Sequence, residues 1–302
     1  MIMGQQSFGQ KCVEAILQKG EDEIVGVYCA PDKEGKPIDP IKEFALASGL
    51  RVFQPDKFSS EKVKNQIREL APDLCVMAYV VIFVPEEVRG IPKYGSICFH
   101  PSLLPKHRGP SSINWPIIAG ANETGLTIFW PNDGLDEGEI LLQKKVNIEP
   151  NDTLGDVYFS KIFPLGIEAI LESIKLVAEG KAPKVPQNNA DATYESWCDK
   201  KAAKINWSMP TEQIYNLIRG TNPQPGAWTT YGGKELKIFD CAMIDGTYGN
   251  AGEIIQLNSD GFVVGTLDQG ILAKRVKFEN NKKIVATEFV TQVGLKVGEK
   301  FS

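Results

Sequence analysis

The chain has 302 residues, 42% of them apolar and 24% charged, the balance of a soluble globular protein with a sizeable core. That length fits about two domains. A net charge of −5 argues against nucleic acid as a partner, because binding a phosphate backbone needs a basic surface.

The charge is uneven: 11 of the 33 basic and 10 of the 38 acidic residues fall from Lys204 onward, so that part is near neutral. None of the six cysteines (Cys12, Cys29, Cys75, Cys98, Cys198, Cys241) forms a C-x-x-C pair, and both histidines stand on one Pro-containing loop. Neither pattern is a zinc or disulfide signature, so no metal site is expected. Free cysteines on apolar segments suit a reducing compartment. The longest apolar run, Leu74–Pro85, is too short to span a membrane, and the first residues lack the pattern of a signal peptide. A cytoplasmic protein without a membrane partner is expected.

Met1–Gly4 reads as the end of a short strand that starts abruptly, as though a few residues had been trimmed. Gly4–Gly9 (GQQSFG) reads as a glycine-bounded turn, and Gln10–Lys19 has helical spacing at Cys12, Val13, Ile16 and Leu17. Ile24–Cys29 is the next strand, Pro31–Pro40 a polar turn region, Ile41–Ser48 a helix and Val52–Phe53 a brief strand. Glu61–Leu70 is helical, Asp73–Val81 a buried strand, and Ile97–His100 closes the series. Strands alternating with helices predict a mostly parallel α/β sheet with helices on both faces. The glycine turn lacks the G-x-G-x-x-G spacing, and no acidic residue is clearly placed at the end of the second strand, so NAD or FAD binding is not expected.

Ligands of open parallel sheets sit outside the carboxyl ends of the strands. That puts Ile82–Pro85 and His100, each just past a strand, on one rim. Thr127–Trp130 is a further strand, and the loop after it, Asn132–Glu139 (NDGLDEGE), is expected on the same rim. Ile140–Ile148 reads as an edge strand. Asn151-Asp-Thr-Leu opens a helix that runs to Glu179, with Gly180 as its stop. Lys181–Lys204 is a candidate linker and Thr211–Arg219 a capped helix. Beyond Gly226, five short alternating runs (Ala227–Tyr231, Leu236–Ile244, Gly252–Leu257, Gly261–Thr266, Ile271–Phe278) predict a small all-β barrel.

Two stretches concentrate chemistry. Gly95–Gly109 (GSICFHPSLLPKHRG) holds His100 and His107, and the acidic loop holds Asp133, Asp136, Glu137 and Glu139. A histidine and a carboxylate across a cleft can move protons on a small polar substrate. Spacing alone does not choose among the four carboxylates, and a solvated turn is the general reading of such a cluster. The loop lacks the alternating oxygen ligands of a calcium site.

HPSLLPKHRG followed by GLTIFWPNDGLDEGEIL is similar to the signature of the folate-dependent formyltransferase family, above all to the hydrolase domain of the 10-formyltetrahydrofolate dehydrogenases. Ala203–Trp207 (AKINW) and Pro225–Trp228 (PGAW) match that family too, so the resemblance covers nearly the whole chain. It implies a Rossmann-like domain over residues 1–203, carrying the folate site and catalysis, and an OB-like barrel over residues 204–302. It also implies 10-formyltetrahydrofolate as formyl donor. Of the family's catalytic Asn, His and Asp, His100 matches the histidine and Asp136 the aspartate. The Asn position is Cys98 here, and the dehydrogenase branch departs from Asn there as well, with an apolar residue. The folate-contacting segment matches Ile82, Phe83 and Val84, with Asp136 beside the folate. The aldehyde dehydrogenase and carrier-like parts of those dehydrogenases have no counterpart in this chain, so NAD(P) chemistry is not expected.

Moving a formyl group off an amine nitrogen needs a nucleophile at the carbonyl carbon, a stabilised oxyanion and a proton for the departing nitrogen. Asp136 is expected to deprotonate or orient the attacking water or acceptor, and to favour a charged His100 by proximity. His100 is expected to donate to the formyl oxygen or the leaving nitrogen. Cys98 reads either as a small hydrophobe or as a thiol that briefly accepts the formyl group, which needs a lowered pKa. His107 is expected to stabilise the loop, and Arg108 to hold it or to pair with the glutamate tail of folate. The sequence leaves the acceptor open among water, a small amine and a thiol carrier. The alternative is methionyl-tRNA, against which stand the acidic charge, Cys98 in place of Asn, and a short Pro31–Pro40 stretch with only Lys33 and Lys36.

Overall fold

The computed structural model describes residues 1–246 and 249–302. They divide into two compact units. The first comprises Met1–Gly109, Gly125–Val146 and Lys161–Tyr194, and the second Pro110–Thr124, Asn147–Ser160 and Glu195–Ser302.

In the first unit, strands and helices alternate as the sequence predicts: β1 (Ile2–Gly4), α1 (Gln6–Lys19), β2 (Val27–Tyr28), α2 (Pro40–Ala47), β3 (Val52–Phe53), α3 (Glu61–Leu70), β4 (Cys75–Ala78), α4 (Glu86–Arg89) and β5 (Ser96–His100). After α5 (Asn114–Ile118), which belongs to the second unit, β6 (Glu123–Trp130) and β7 (Glu139–Asn147) complete a sheet ordered β3-β2-β1-β4-β5-β6-β7. The pairings among β1 to β5 are parallel. α2 and α3 start where polar caps accept amide hydrogens: Asp39 from Ile41 at 3.1 Å and Ser60 from Val63 at 3.4 Å.

Two expectations change. GQQSFG is not a turn, because α1 already begins at Gln6. Its glycines serve close packing: a Cβ on Gly4 would lie 2.5 Å from the Ala78 carbonyl oxygen of β4. β6 runs antiparallel to β5, with Cys98 opposite Phe129 and His100 opposite Thr127. The acidic loop therefore leaves the sheet beyond Phe129, away from His100, and reaches the histidine only by folding back.

The sheet is buried from both sides. Val63, Ile67 and Leu70, one face of α3, pack with Tyr28, Cys75 and Met77. Elsewhere, Phe8 of α1 stacks 4.4 Å from Phe99 of β5 and meets Phe163 edge-on at 5.4 Å. Phe163 opens α6 (Phe163–Ala178), which continues a π-helical stretch, Asp156–Ile162. Pro164 has no N–H to donate, which breaks the regular α ladder where the one passes into the other. The second unit holds α7 (Thr211–Gly220), β8 (Ala227–Tyr231), β9 (Lys234–Ile244), β10 (Ile254–Asn258), β11 (Gly261–Gly265), β12 (Gly270–Phe278), β13 (Ile284–Val285) and α8 (Ala286–Val293). Its sheet is antiparallel, ordered β10-β11-β12-β9-β8 with β13 on β12. Ile214 and Ile218 of α7 and Phe289 of α8 bury themselves among Leu236, Ile238, Phe262, Val264 and Ile271. The α7 amide at Thr211 donates to Asp268 at 2.8 Å, so this helix is capped by a distant turn. The chain thus has the expected class: a mixed, mostly parallel α/β sheet followed by a smaller antiparallel domain. Among the described residues, no helix is long and apolar enough to cross a membrane.

Phe8→Ala should cost about 3–5 kcal/mol of stability, since Phe8 is 2% exposed and its ring has aromatic partners on two elements. Urea unfolding followed by circular dichroism measures this, and a loss below about 1 kcal/mol would mean that the cavity collapses.

Candidate active site

Side chains alternate along β5. Phe99 faces Phe8, and Cys98 and His100 share the other side. His100 is the last residue of the strand and only 7% exposed. Its Nε2 donates to the His107 carbonyl oxygen at 2.9 Å. A carbonyl can only accept, so Nε2 carries a hydrogen and Nδ1 is the nitrogen left for chemistry. Nδ1 faces Asp136 Oδ2 at 3.6 Å. The same Oδ2 accepts from the Gly109 amide at 2.8 Å. The two separated stretches therefore meet as the sequence reading expects, although the return of the acidic loop was not foreseen.

His107 and Asp136 both hold left-handed backbone, with φ of 59° and 55°. Such conformations cost non-glycine residues about 1–3 kcal/mol and persist where the surroundings over-determine them. Here the surroundings are specific. The His107 amide donates to Thr193 Oγ1 at 2.8 Å, and the Arg108 amide to the Thr193 carbonyl at 3.0 Å. Gln187 Nε2 donates to the carbonyl oxygens of Asp136 (2.8 Å) and Gly138 (2.7 Å). Gly138 has no room for a side chain, because a Cβ there would run into the Trp130 carbonyl.

Thr193 and Gln187 lie in the stretch read as a linker. It is irregular as expected, but it is strapped to the first unit. Ile140 and Val185 exchange backbone bonds at 2.8 and 3.0 Å, and Arg108 and Tyr194 form a parallel bridge. Arg108, 1% exposed, closes the strap. Its guanidinium donates to Gln187 Oε1 (2.7 and 3.1 Å), Asn189 Oδ1 (2.8 Å) and Tyr194 OH (2.5 Å), with Glu137 at 3.8 Å. Of its two expected roles, it therefore holds the loop.

The four carboxylates separate by partner. Asp133 takes the Arg89 guanidinium at 2.6 Å, Glu137 accepts from Tyr194 OH at 2.6 Å, and Glu139 opens β7. Asp136 is the one that faces His100. Arg89 also donates to the Val84 carbonyl at 2.7 Å, so it ties the Ile82–Val84 loop to the acidic loop. In that loop Ile82 is half-buried, Phe83 is 69% exposed and Val84 is buried. A narrow crevice, with room for about 10 Å³, opens at the carboxyl ends of β1, β2 and β4, lined in part by Gly4, Tyr28, Cys29, Tyr79 and Ile82. A larger open hollow around Glu21–Val25 and Gly49–Arg51 lies at the amino ends of β2 and β3, away from His100. Burial, and after it the Asp136 charge, pushes the Cys98 thiol well above its ordinary pKa. Among the described residues, no group of three or more His, Cys, Asp or Glu side chains is placed to hold a metal ion. The sequence reading missed Gln187, Tyr194 and Arg89, whose signal is a handful of long-range hydrogen bonds from polar stretches without periodicity.

The family model for formyl transferase matches residues 1–167, and that for the formyl transferase C-terminal domain matches residues 198–294. The chain is 38% identical over 306 residues to the cytosolic 10-formyltetrahydrofolate dehydrogenases of Xenopus tropicalis and Homo sapiens, over 95% of this chain and 33% of each of those proteins. It thus spans about a third of the length of these relatives. It is 35% identical over 306 residues to the methionyl-tRNA formyltransferase of Acetivibrio thermocellus, over 99% of this chain and 97% of that one. Among solved structures, HypX from Aquifex aeolicus in complex with tetrahydrofolic acid has a TM-score of 0.69 at 17% identity, over 99% of this chain and 48% of that chain. The N-formyltransferase from Helicobacter canadensis, in complex with folinic acid and dTDP-3-aminofucose, has 0.68 at 20% identity, over 90% and 97%. At these identities the structural likeness shows the fold.

The cysteines give this chain an alkaline limit. Burial pushes the thiols of Cys29, Cys75 and Cys198 up to about 11. The unfolded chain loses these protons near its ordinary thiol pKa of about 8.5 while the folded chain keeps them, so folding becomes less favourable as pH rises. Urea unfolding at fixed ionic strength should show stability falling between pH 9 and 11. Native Cys98 should also react with iodoacetamide about a hundred-fold more slowly than in the unfolded chain, because the thiolate is the reactive form.

Proposed function

This chain belongs to the folate-dependent formyltransferase family, and we propose that it removes the formyl group from 10-formyltetrahydrofolate and passes it to water or to a small amine or thiol acceptor. The observation that carries this reading is the His100 ring, locked at Nε2 by a carbonyl and left with Nδ1 toward Asp136. In the hydrolytic form, Asp136 takes a proton from water as its oxygen bonds to the formyl carbon. The carbon–nitrogen bond then breaks while His100 Nδ1–H protonates the departing nitrogen. Formate and tetrahydrofolate result. Ile82, Phe83 and Val84 would line the folate with Asp136. Cys98, held as a neutral thiol, fits lining the site better than carrying the formyl group. No resident metal or NAD(P) enters the scheme.

Transfer to methionyl-tRNA is the second reading, favoured by the Acetivibrio thermocellus enzyme matching along nearly its whole length. The net charge of −5 and the near-neutral last third weigh against a tRNA acceptor.

The deciding experiment incubates the protein with 10-formyltetrahydrofolate alone, then with a thiol, with amines and with methionyl-tRNA. Tetrahydrofolate release without an acceptor, or with a small one, is expected; strict dependence on methionyl-tRNA would select the second reading. Asp136→Asn and His100→Ala should each lower turnover by about 10²–10⁴-fold. Unchanged turnover in both would remove the acid–base pair. Cys98→Ala should keep turnover within about an order of magnitude, since no covalent step passes through it.

A further inference from the structure

We propose that Gln187, backed by Arg108, is a positioning residue that holds Asp136 in register with His100. Resting on the acid–base reading above, the proposal concerns a residue outside both motifs. Asp136 sits on a loop that has to fold back to reach His100, and its backbone is left-handed (φ 55°), a region sparsely populated by residues other than glycine. Gln187 supplies the hold from outside the loop. Its two amide hydrogens go to the Asp136 and Gly138 carbonyl oxygens, at 2.8 and 2.7 Å. Its amide oxygen is turned the other way and accepts from Arg108 Nε and Nη2, at 3.1 and 2.7 Å.

A primary amide has two donors and one acceptor, and every one of them is used. The arrangement is also directional. Arg108 can only donate, so it fixes which end of the amide faces it and thereby aims the NH₂ group at the acidic loop. Arg108 is next to Gly109, whose amide holds the Asp136 carboxylate. One short segment therefore fixes the aspartate twice, at its side chain directly and at its backbone through Gln187. Asp136 is the carboxylate facing the imidazole.

The test uses the whole chain with Gln187→Met, which keeps the volume and removes all four hydrogen bonds. Tyr194→Phe is the control: it loosens the strap at the Glu137 and Arg108 contacts but leaves the Gln187 amide in place. Two readouts are taken: kcat and KM on 10-formyltetrahydrofolate, and the ¹⁵N shifts of the His100 ring, tractable in a chain with two histidines. Gln187→Met should lower kcat about 10- to 100-fold with KM within about threefold, the scale of a misplaced catalytic group. Its His100 Nδ1 signal should move toward that of Asp136→Asn. Tyr194→Phe should lower the urea midpoint and should change kcat and the His100 shifts at least fivefold less than Gln187→Met does; an equal change in both variants would overturn the proposal. Gln187→Asn keeps the amide but draws it back by one methylene, and gives the same comparison should the methionine variant not fold. Wild-type kcat and His100 shifts in both Gln187 variants would overturn the proposal. If wild-type protein does not act on 10-formyltetrahydrofolate at all, the functional reading fails, and the His100 shifts alone still decide whether Gln187 holds the pair together.

Discussion

A guanidinium with 1% of its surface exposed must be met on every side, and the Arg108 contacts set the shape of the site. Leaving such a charge buried and unpartnered costs several kcal/mol. From the histidine loop it reaches partners on two other stretches: the acidic loop through Glu137, and the strap through Gln187, Asn189 and Tyr194. None of these stretches is regular structure with a ladder of its own. The strap is fixed by paired backbone bonds at Val185 and Thr193 and by side chains converging on this cation. Charge satisfaction, rather than apolar burial, thus fixes the backbone around His107 and Asp136.

The same logic sorts the carboxylates. Asp133 is neutralised by Arg89, and Glu137 is drawn to Tyr194 and Arg108. Asp136 accepts one backbone hydrogen bond and faces an imidazole. Four acidic residues within eight positions thereby acquire different work through their partners alone. Cys98 belongs to this division. A thiolate there would put a second negative charge close to Asp136 in a buried position, and the thiol is held neutral. That leaves one carboxylate opposite His100 Nδ1.

Much of the fold was legible because it rests on period. α3 follows from a serine cap and apolar residues at Val63, Ile67 and Leu70, and its bounds agree with the reading to the residue. β4 was read too long because Tyr79 and Val81 are as apolar as the strand, yet they are 43% and 57% exposed in the loop beyond it. The direction of β6 was not legible. Its residues from Thr124 to Phe129 are buried without a break, and a strand buried on both faces reads alike in either direction. Asp136 was picked by resemblance to a motif, since its spacing does not distinguish it from three neighbouring carboxylates. The strap was not legible at all, because hydrogen bonds between Arg108 and residues 79 to 86 positions away leave no local pattern.

The long apolar run that stood out in the sequence does two jobs, and separating them clarifies the site. Cys75–Ala78 is buried strand, whereas Val81 and Phe83 stand 57% and 69% exposed. Leu135, on the acidic loop, is 54% exposed as well. These loops are not independent, since Arg89 fastens the Val84 carbonyl to Asp133. Tying the two loops together through a buried cation lowers the entropic cost of ordering them when a ligand binds. The proposed folate has a flat aromatic body that exposed apolar side chains such as Phe83 can cover. Cations therefore act twice in this unit without touching the reaction: Arg89 joins the loops that would grip the donor, and Arg108 joins those that would act on it.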